Sequence, residues 1–216
     1  MKLWEDVDRY LEGALIGDDP ALAAARAVSK AAGLPDIAVA PNQGKLLHLM
    51  ARMIGARRIL EVGTLGGYSA IWLARALPAD GELVTLEYDP HHAEVARKNI
   101  AAAGLADRVK VLPGAASDTL PTLSGPFDFA FIDADKKSNP DYFRMALKLA
   151  RKGSVIVVDN VIRAGKVLDA NGDENVQGIR RLNEIMAAEP RVSATAIQTV
   201  GVKGYDGLAV ALVIAD

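Results

Sequence analysis

From residue 58 onward the chain alternates short apolar runs with longer segments of helical periodicity, a pattern that few architectures accommodate. The runs are Arg58–Val62, Leu83–Glu87, Val109–Leu112, Phe127–Asp133 and Ser154–Asp159. Helical patterns lie between them at 69–77, 90–103 and 141–151, and another follows at 175–188. Strands separated by helices pair in parallel, and a parallel sheet is covered by helices on both faces. Two last runs, Val192–Gln198 and Leu208–Ile214, are joined through Gly201, Gly204 and Gly207 with no helix between them, so they are expected to pair antiparallel at one edge. The expected fold is α/β: a doubly wound, seven-stranded sheet, mostly parallel with an antiparallel edge strand and helices on both faces.

Upstream, two helices are expected at 3–16 and 19–32. The second holds the alanine-rich stretch 21–27 and ends at Gly33-Leu34-Pro35. A third runs from Asn42 to Ala56, with Leu46, Leu47, Leu49, Met50, Met53 and Ile54 on one helical face. No linker interrupts the 216 residues, which read as a single domain, 1–216. A hydrophobic fraction of 50% with 24% charged residues excludes a disordered chain. A formal net charge of −2 offers no basic footprint, so no nucleic-acid partner is expected. With no cysteine, disulfides, thiolate metal sites and a cysteine nucleophile are all excluded. No run of about 18 apolar residues occurs, and Glu5, Asp6 and Asp8 interrupt the start, so neither a membrane span nor a signal segment is expected and the expected location is cytoplasmic.

Ligands of open parallel sheets bind beyond the carboxyl ends of the strands. Those ends are acidic here: Glu61, Glu87, Asp133 and Asp159. After the first strand, Gly63-Thr64-Leu65-Gly66-Gly67 leads into a helix, and glycines there let backbone approach a ligand closely. Glu87, ending the next strand, can accept both ribose hydroxyls of a nucleoside. The pair fits NAD or S-adenosylmethionine. The loop is not G-x-G-x-x-G, and a pyrophosphate tolerates the preceding Glu61 carboxylate poorly. S-adenosylmethionine carries an amino group and a sulfonium, so an acidic lining favours it.

Glu61-Val-Gly-Thr-x-x-Gly-Tyr-Ser69 resembles the cofactor loop of the cation-dependent O-methyltransferases, the family of catechol and caffeoyl-CoA O-methyltransferases. The resemblance extends from about Val39 onward through Ala-Pro-Asn-Gln-Gly at 40–44, Gly-Ala-Ala at 114–116, Phe-Ile-Asp-Ala-Asp-Lys at 131–136, Asp159-Asn160 and Gly-Tyr-Asp-Gly-Leu at 204–208. It implies a Rossmann-like sheet and S-adenosylmethionine contacts at Val39, Glu61, Gly63, Thr64, Ser69, Glu87, Ala115 and Asp133. It further implies a small aromatic diol as acceptor, Lys136 as the general base with Lys137 ranked second, and a homodimer, with residues 1–40 covering the substrate and dimer side.

Asp133, Asp159 and Asn160 lie at the ends of neighbouring expected strands. Two carboxylates and an amide oxygen suit a hard cation, Mg²⁺ or alternatively Mn²⁺ or Ca²⁺, and leave about three octahedral positions open. A lysine can serve as a base only if its pKa falls, as a nearby cation would make it do. Asp135 is expected to partner Lys136 or Lys137, His91 and His92 to face solvent, and His48 to sit opposite its helix's apolar stripe. Trp72 is expected in the core, and Tyr205 is the candidate for stacking on an aromatic acceptor. The segments Val161–Asn175 and Gly201–Leu208 are expected to line the acceptor pocket. Only Lys2 and Arg9 are basic near the start, which counts against a coenzyme A thioester. The alternatives are an NAD-dependent oxidoreductase and a non-catalytic cofactor-binding module on the same fold.

Overall fold

The computed structural model describes residues 3–216, so Lys2 lies outside it. Seven strands form one sheet: β1 (Arg58–Val62), β2 (Glu82–Glu87), β3 (Val109–Pro113), β4 (Phe127–Ile132), β5 (Ala150–Asp159), β6 (Val192–Gly201) and β7 (Gly204–Val213). Their order across the sheet is β3-β2-β1-β4-β5-β7-β6. β1 to β5 pair in parallel, and β7 runs antiparallel to both β5 and β6. The antiparallel strand thus lies one place in from the edge, because the hairpin returns β7 into the gap beside β5 and leaves β6 outermost. Strand order reverses between β1 and β4, the place where doubly wound sheets open a crevice.

The helices are α1 (Leu3–Leu11), α2 (Pro20–Ala31), α3 (Pro41–Met53), α4 (Tyr68–Ala74), α5 (Pro90–Ala102), the short α6 (Ala116–Thr119), α7 (Asn139–Lys148) and α8 (Glu174–Ala188). The helix expected over 3–16 stops at Leu11 and continues as one wider turn, Glu12–Ile16, closed by Gly17 at φ +70°. α2 and α5 start at a proline behind an aspartate cap: Asp19 accepts from the Leu22 N–H, and Asp89 from those of His91 and His92.

Period-two alternation sends successive strand residues to opposite faces. Ile59, Phe129, Phe131 and Val157 meet α2 to α5 in one core, where Leu22 and Ala25 seat the alanine-rich helix. Leu60, Val62, Ala130, Ile132 and Val158 meet Phe143, Leu147, Ile179 and Leu182 of α7 and α8 in the other. α3 uses only part of its stripe: Leu47 is buried, whereas Leu46, Leu49 and Met53 are exposed. Apolar residues at six of nine consecutive positions span more of the helix than one contact line covers. His48, expected at the surface, is half-buried with Nδ1 3.1 Å from the Trp72 carbonyl oxygen, and burial holds its pKa below the usual value.

α8 approaches the chain after β4 more closely than any side chain would permit. A Cβ on Gly178 would stand 2.3 Å from the Lys136 carbonyl oxygen and 2.6 Å from the Lys137 Cα, both backbone atoms. Gly178→Ala should therefore lower stability by about 1–3 kcal/mol despite alanine's better helix propensity. Chemical denaturation of the two proteins measures this, and an unchanged or raised midpoint would contradict the packing described.

Candidate functional site

The crevice begins where β1 runs into its glycine loop. Gly63 has φ +98°, and a Cβ there would lie 2.2 Å from the Asp133 carbonyl oxygen, so a side chain would drive β1 and β4 apart. Just before it, the Asp133 N–H donates to the Val62 carbonyl at 2.8 Å. The loop is held from two sides. Glu87, at the end of β2, accepts from the N–H groups of Thr64 (3.1 Å), Leu65 (2.7 Å) and Asp89 (3.0 Å). On the opposite flank the Asn99 amide donates to the carbonyls of Gly66 (2.8 Å) and Ala25 (3.2 Å), tying loop, α2 and α5 together. Asn99 carried no signal in the sequence, because its role depends on α2 lying across α5.

A cleft of about 860 Å³ opens over this loop. Val39, Gly63, Thr64, Ser69, Glu87, Ala115, Asp133, Lys136, Asp159 and Asn160 all line it, although they come from six separate stretches of chain. Val39 is fixed by the Arg26 guanidinium, which donates to its carbonyl at 2.8 Å and stacks 4.4 Å from the Tyr68 ring centre. Glu61 is placed differently. It shares the face of Ile59, lies fully buried beneath the loop, and is not on the cleft wall. Thr85 Oγ1 donates to its Oε2 at 2.6 Å, while Oε1 has no hydrogen-bond partner.

Asp133 follows β4 and Asp159 ends β5, one step beyond the paired residues Ile132 and Val158, so sheet register brings the two carboxylates side by side. Asp159 is 6% exposed. Burial, and after it the Asp133 charge, push its carboxyl upward from the usual range. Its Oδ2 accepts from Gln43 Nε2 at 2.6 Å and its Oδ1 from the Asn160 N–H at 2.7 Å. Gln43 was not singled out in the sequence, although it sits within Ala-Pro-Asn-Gln-Gly; only the approach of the start of α3 to the end of β5 gives it a partner. Asn160 has φ +58°, a conformation that asparagine tolerates better than most residues. Lys136 is buried, with Nζ 2.6 Å from Asp133 Oδ1. Asp135 does not partner either lysine by a direct bond: it accepts from Ser138 Oγ and Tyr142 Oη, both at 2.5 Å.

Two adjacent carboxylates, of which Asp159 is pushed upward by burial and by the Asp133 charge, make with the amide carbonyl of Asn160 a set of hard oxygen donors that fits a divalent cation such as Mg²⁺. Among the described residues no cluster of three or more His, Cys, Asp or Glu side chains could hold a metal, so this mixed set is the candidate. His91 is exposed as expected, whereas His92 is half-buried, lines the cleft and lies 3.6 Å from Glu87. Trp72 is buried in the core. Tyr205 does not line the cleft. From its connection Lys203 does, donating to the Asp36 carbonyl at 3.0 Å, and from the segment after Asn160 it is Arg163 that reaches the wall.

A sequence profile described as O-methyltransferase matches residues 15–214. The chain is 59% identical over 209 residues to a catechol O-methyltransferase of Mycobacterium tuberculosis (96% of this chain, 95% of the relative). It is 54% identical over 217 residues to a catechol O-methyltransferase of Niastella koreensis, covering 98% of each chain. The crystal structure of the O-methyltransferase from Bacillus cereus in complex with SAH superposes with a TM-score of 0.96 at 55% identity, over 97% of this chain and 98% of that one.

Complete burial pushes the Glu61 carboxyl up to about 8 from its ordinary 4.5, against the smaller opposing effects of the Ser69 and Thr85 hydroxyls. The folded protein therefore keeps a proton that the unfolded chain releases near the ordinary value. Between those two points the folded state binds more protons, so the unfolding free energy falls as pH rises from about 5 to 8. In Glu61→Gln that contribution to the slope disappears. Denaturant titrations across this pH range check it; identical slopes in both proteins would rule out a neutral Glu61.

Proposed function

The chain belongs to the O-methyltransferase family, and from that premise we propose that it moves the methyl group of S-adenosylmethionine to one oxygen of a vicinal aromatic diol with the help of a divalent cation. It is an S-adenosylmethionine-dependent enzyme of this family; the diol acceptor, the cation and the residue roles are the proposed part. The observation that carries the reading is the convergence of Asp133, Lys136, Asp159 and Asn160 in the same cleft as the glycine loop and Glu87. The dehydrogenase and the non-catalytic module have no comparable support.

On this reading Glu87 accepts the ribose hydroxyls while its remaining lone pairs keep the loop amides, and Gly63, Ser69 and Asp133 face the amino-acid end of the donor. Ala115 and Val39 close over the flat base and the chain beside it. Asp133, Asp159 and Asn160 would hold the cation, which when bound supplies a Lewis acid that lowers the pKa of the diol oxygens. Lys136 Nζ takes the hydroxyl proton. The oxygen then attacks the methyl carbon in line as the carbon–sulfur bond breaks, leaving S-adenosylhomocysteine. Gln43 holds the Asp159 carboxylate in one orientation through its 2.6 Å hydrogen bond. Most of the barrier reduction comes from positioning and charge stabilisation.

Methyl transfer from S-adenosylmethionine to catechol, measured with added Mg²⁺ and again with EDTA, tests the reaction class. Transfer that EDTA stops is expected, and transfer indifferent to EDTA would remove the cation from the reading. Asp159→Ala should lose metal-dependent turnover yet still bind S-adenosylmethionine in a calorimetric titration. Lys136→Met should lower kcat by roughly 10²- to 10⁴-fold, the usual scale for a missing general base, with KM for the donor little changed.

A further inference from the structure

The cleft wall beyond Asn160 contains an arginine whose side chain meets no hydrogen-bond acceptor among the described residues. Arg163 lies three residues beyond Asn160, half-buried on the cleft wall. Among the described residues its guanidinium makes no hydrogen bond or close ion pair, although it offers five donors in a rigid fork and its charge acts on Asp173. The carboxylates around it already accept hydrogen bonds from other groups, and Asp173, on which the Arg163 charge acts, is not in direct contact with it. Asp206 Oδ1 accepts from the N–H groups of Ile162 (3.0 Å), Arg163 (2.9 Å) and Gly207 (2.9 Å). Asp173 caps α8 at the Val176 N–H, Asp169 accepts from the Asn171 N–H, and Asp135 holds Ser138 and Tyr142. Asp133 is bonded to Lys136 and Asp159 to Gln43.

The backbone that presents Arg163 is unusual as well. Asn160, Arg163 and Ala164 all have positive φ, at 58°, 55° and 53°. Non-glycine residues rarely adopt this conformation, and a cluster of them persists only where surrounding contacts impose it. Here the Asp206 carboxylate imposes it by gathering successive N–H groups of the turn. A second cation, Lys137, lines the same cleft, where its charge acts on Asp135 without a close ion pair among the described residues. The result is a guanidinium carried on a constrained turn in the wall that also holds the proposed diol-binding residues, with no carboxylate in direct contact with it among the described residues.

We propose that Arg163 is a specificity-determining residue that binds a carboxylate carried by the acceptor, so that the preferred substrates are catechols bearing a carboxylate on the ring or on a short side chain. This rests on the diol-methylation reading above. A guanidinium and a carboxylate form parallel charge-assisted hydrogen bonds, which discriminate against a neutral ring and still more against a cationic one. The reacting oxygens are untouched by this contact, so it acts on acceptor affinity and orientation more than on the chemical step.

The test compares kcat and KM for 3,4-dihydroxybenzoate, caffeate, catechol and dopamine in the wild-type enzyme, Arg163→Ala and Arg163→Glu, with saturating S-adenosylmethionine and Mg²⁺. The wild type should favour at least one acid over catechol by roughly ten- to a hundredfold in kcat/KM, the scale of a charge-assisted hydrogen bond, mainly through KM. In Arg163→Ala that ratio should fall to near unity. In Arg163→Glu the preference should invert toward dopamine, a gain that a misfolded variant cannot produce. Equal use of the acids and catechol by the wild type, or an acid preference that survives Arg163→Ala, overturns the proposal and leaves diol methylation standing. No transfer to any of the four acceptors overturns the diol reading itself, and this proposal with it.

Discussion

The contact between Gly63 and the Asp133 carbonyl sets the geometry on which everything else in the cleft depends. Parallel strands β1 and β4 run side by side to their carboxyl ends, and at that point the chain must leave the sheet in two opposite directions. The absence of a side chain at 63 lets the two backbones stay within van der Waals reach while they diverge. The crevice is therefore narrow at its floor and walled by main chain, so loop amides and carbonyls are available to a ligand without intervening side chains. Any residue larger than glycine would widen the floor and shift Asp133, a shared element of the proposed donor site and the proposed cation site.

Gathering acidic groups at one end of a sheet is electrostatically costly unless each is answered. The structure answers them individually. Glu87 takes three backbone N–H groups, Asp133 takes a buried ammonium, and Asp159 takes an amide side chain and a neighbouring N–H. Glu61, with one oxygen unanswered, is held protonated instead. These partners are also what orient the groups, so the compensation for burial and the preorganisation of the site come from the same hydrogen bonds.

Features that depend on local periodicity were legible in the sequence. The strands appear where the apolar runs predicted them, β1 to the residue, and ten of the eleven residues singled out for roles converge on one cleft. What escaped the sequence depends on which elements lie across one another. Gln43 meets Asp159 across 116 positions and Asn99 meets Ala25 across 74, and nothing local marks either. Asp135 illustrates the converse error: sequence proximity suggested a lysine partner, but the short turn after β4 directs its carboxylate to Tyr142 and gives Lys136 to Asp133. Glu61 is expected from the sequence as an acidic lining and a cofactor contact, whereas its place in β1 puts it fully buried beneath the loop and off the cleft wall.

The position of β7 governs the order in which the molecule can be completed. β5 holds the apolar run Val155–Val158 and the proposed cation residue Asp159, and one of its two edges is open until β7, which is made after every other strand of the described sheet, pairs with it. Until then the emerging chain presents an unpaired, strongly apolar strand edge of the kind that recruits other chains. The same insertion brings Asp206 to the turn that carries Arg163, so the acceptor end of the cleft takes shape only after β7 has been made. A partly made chain can build its donor half early, but it cannot act on an acceptor before the sheet closes.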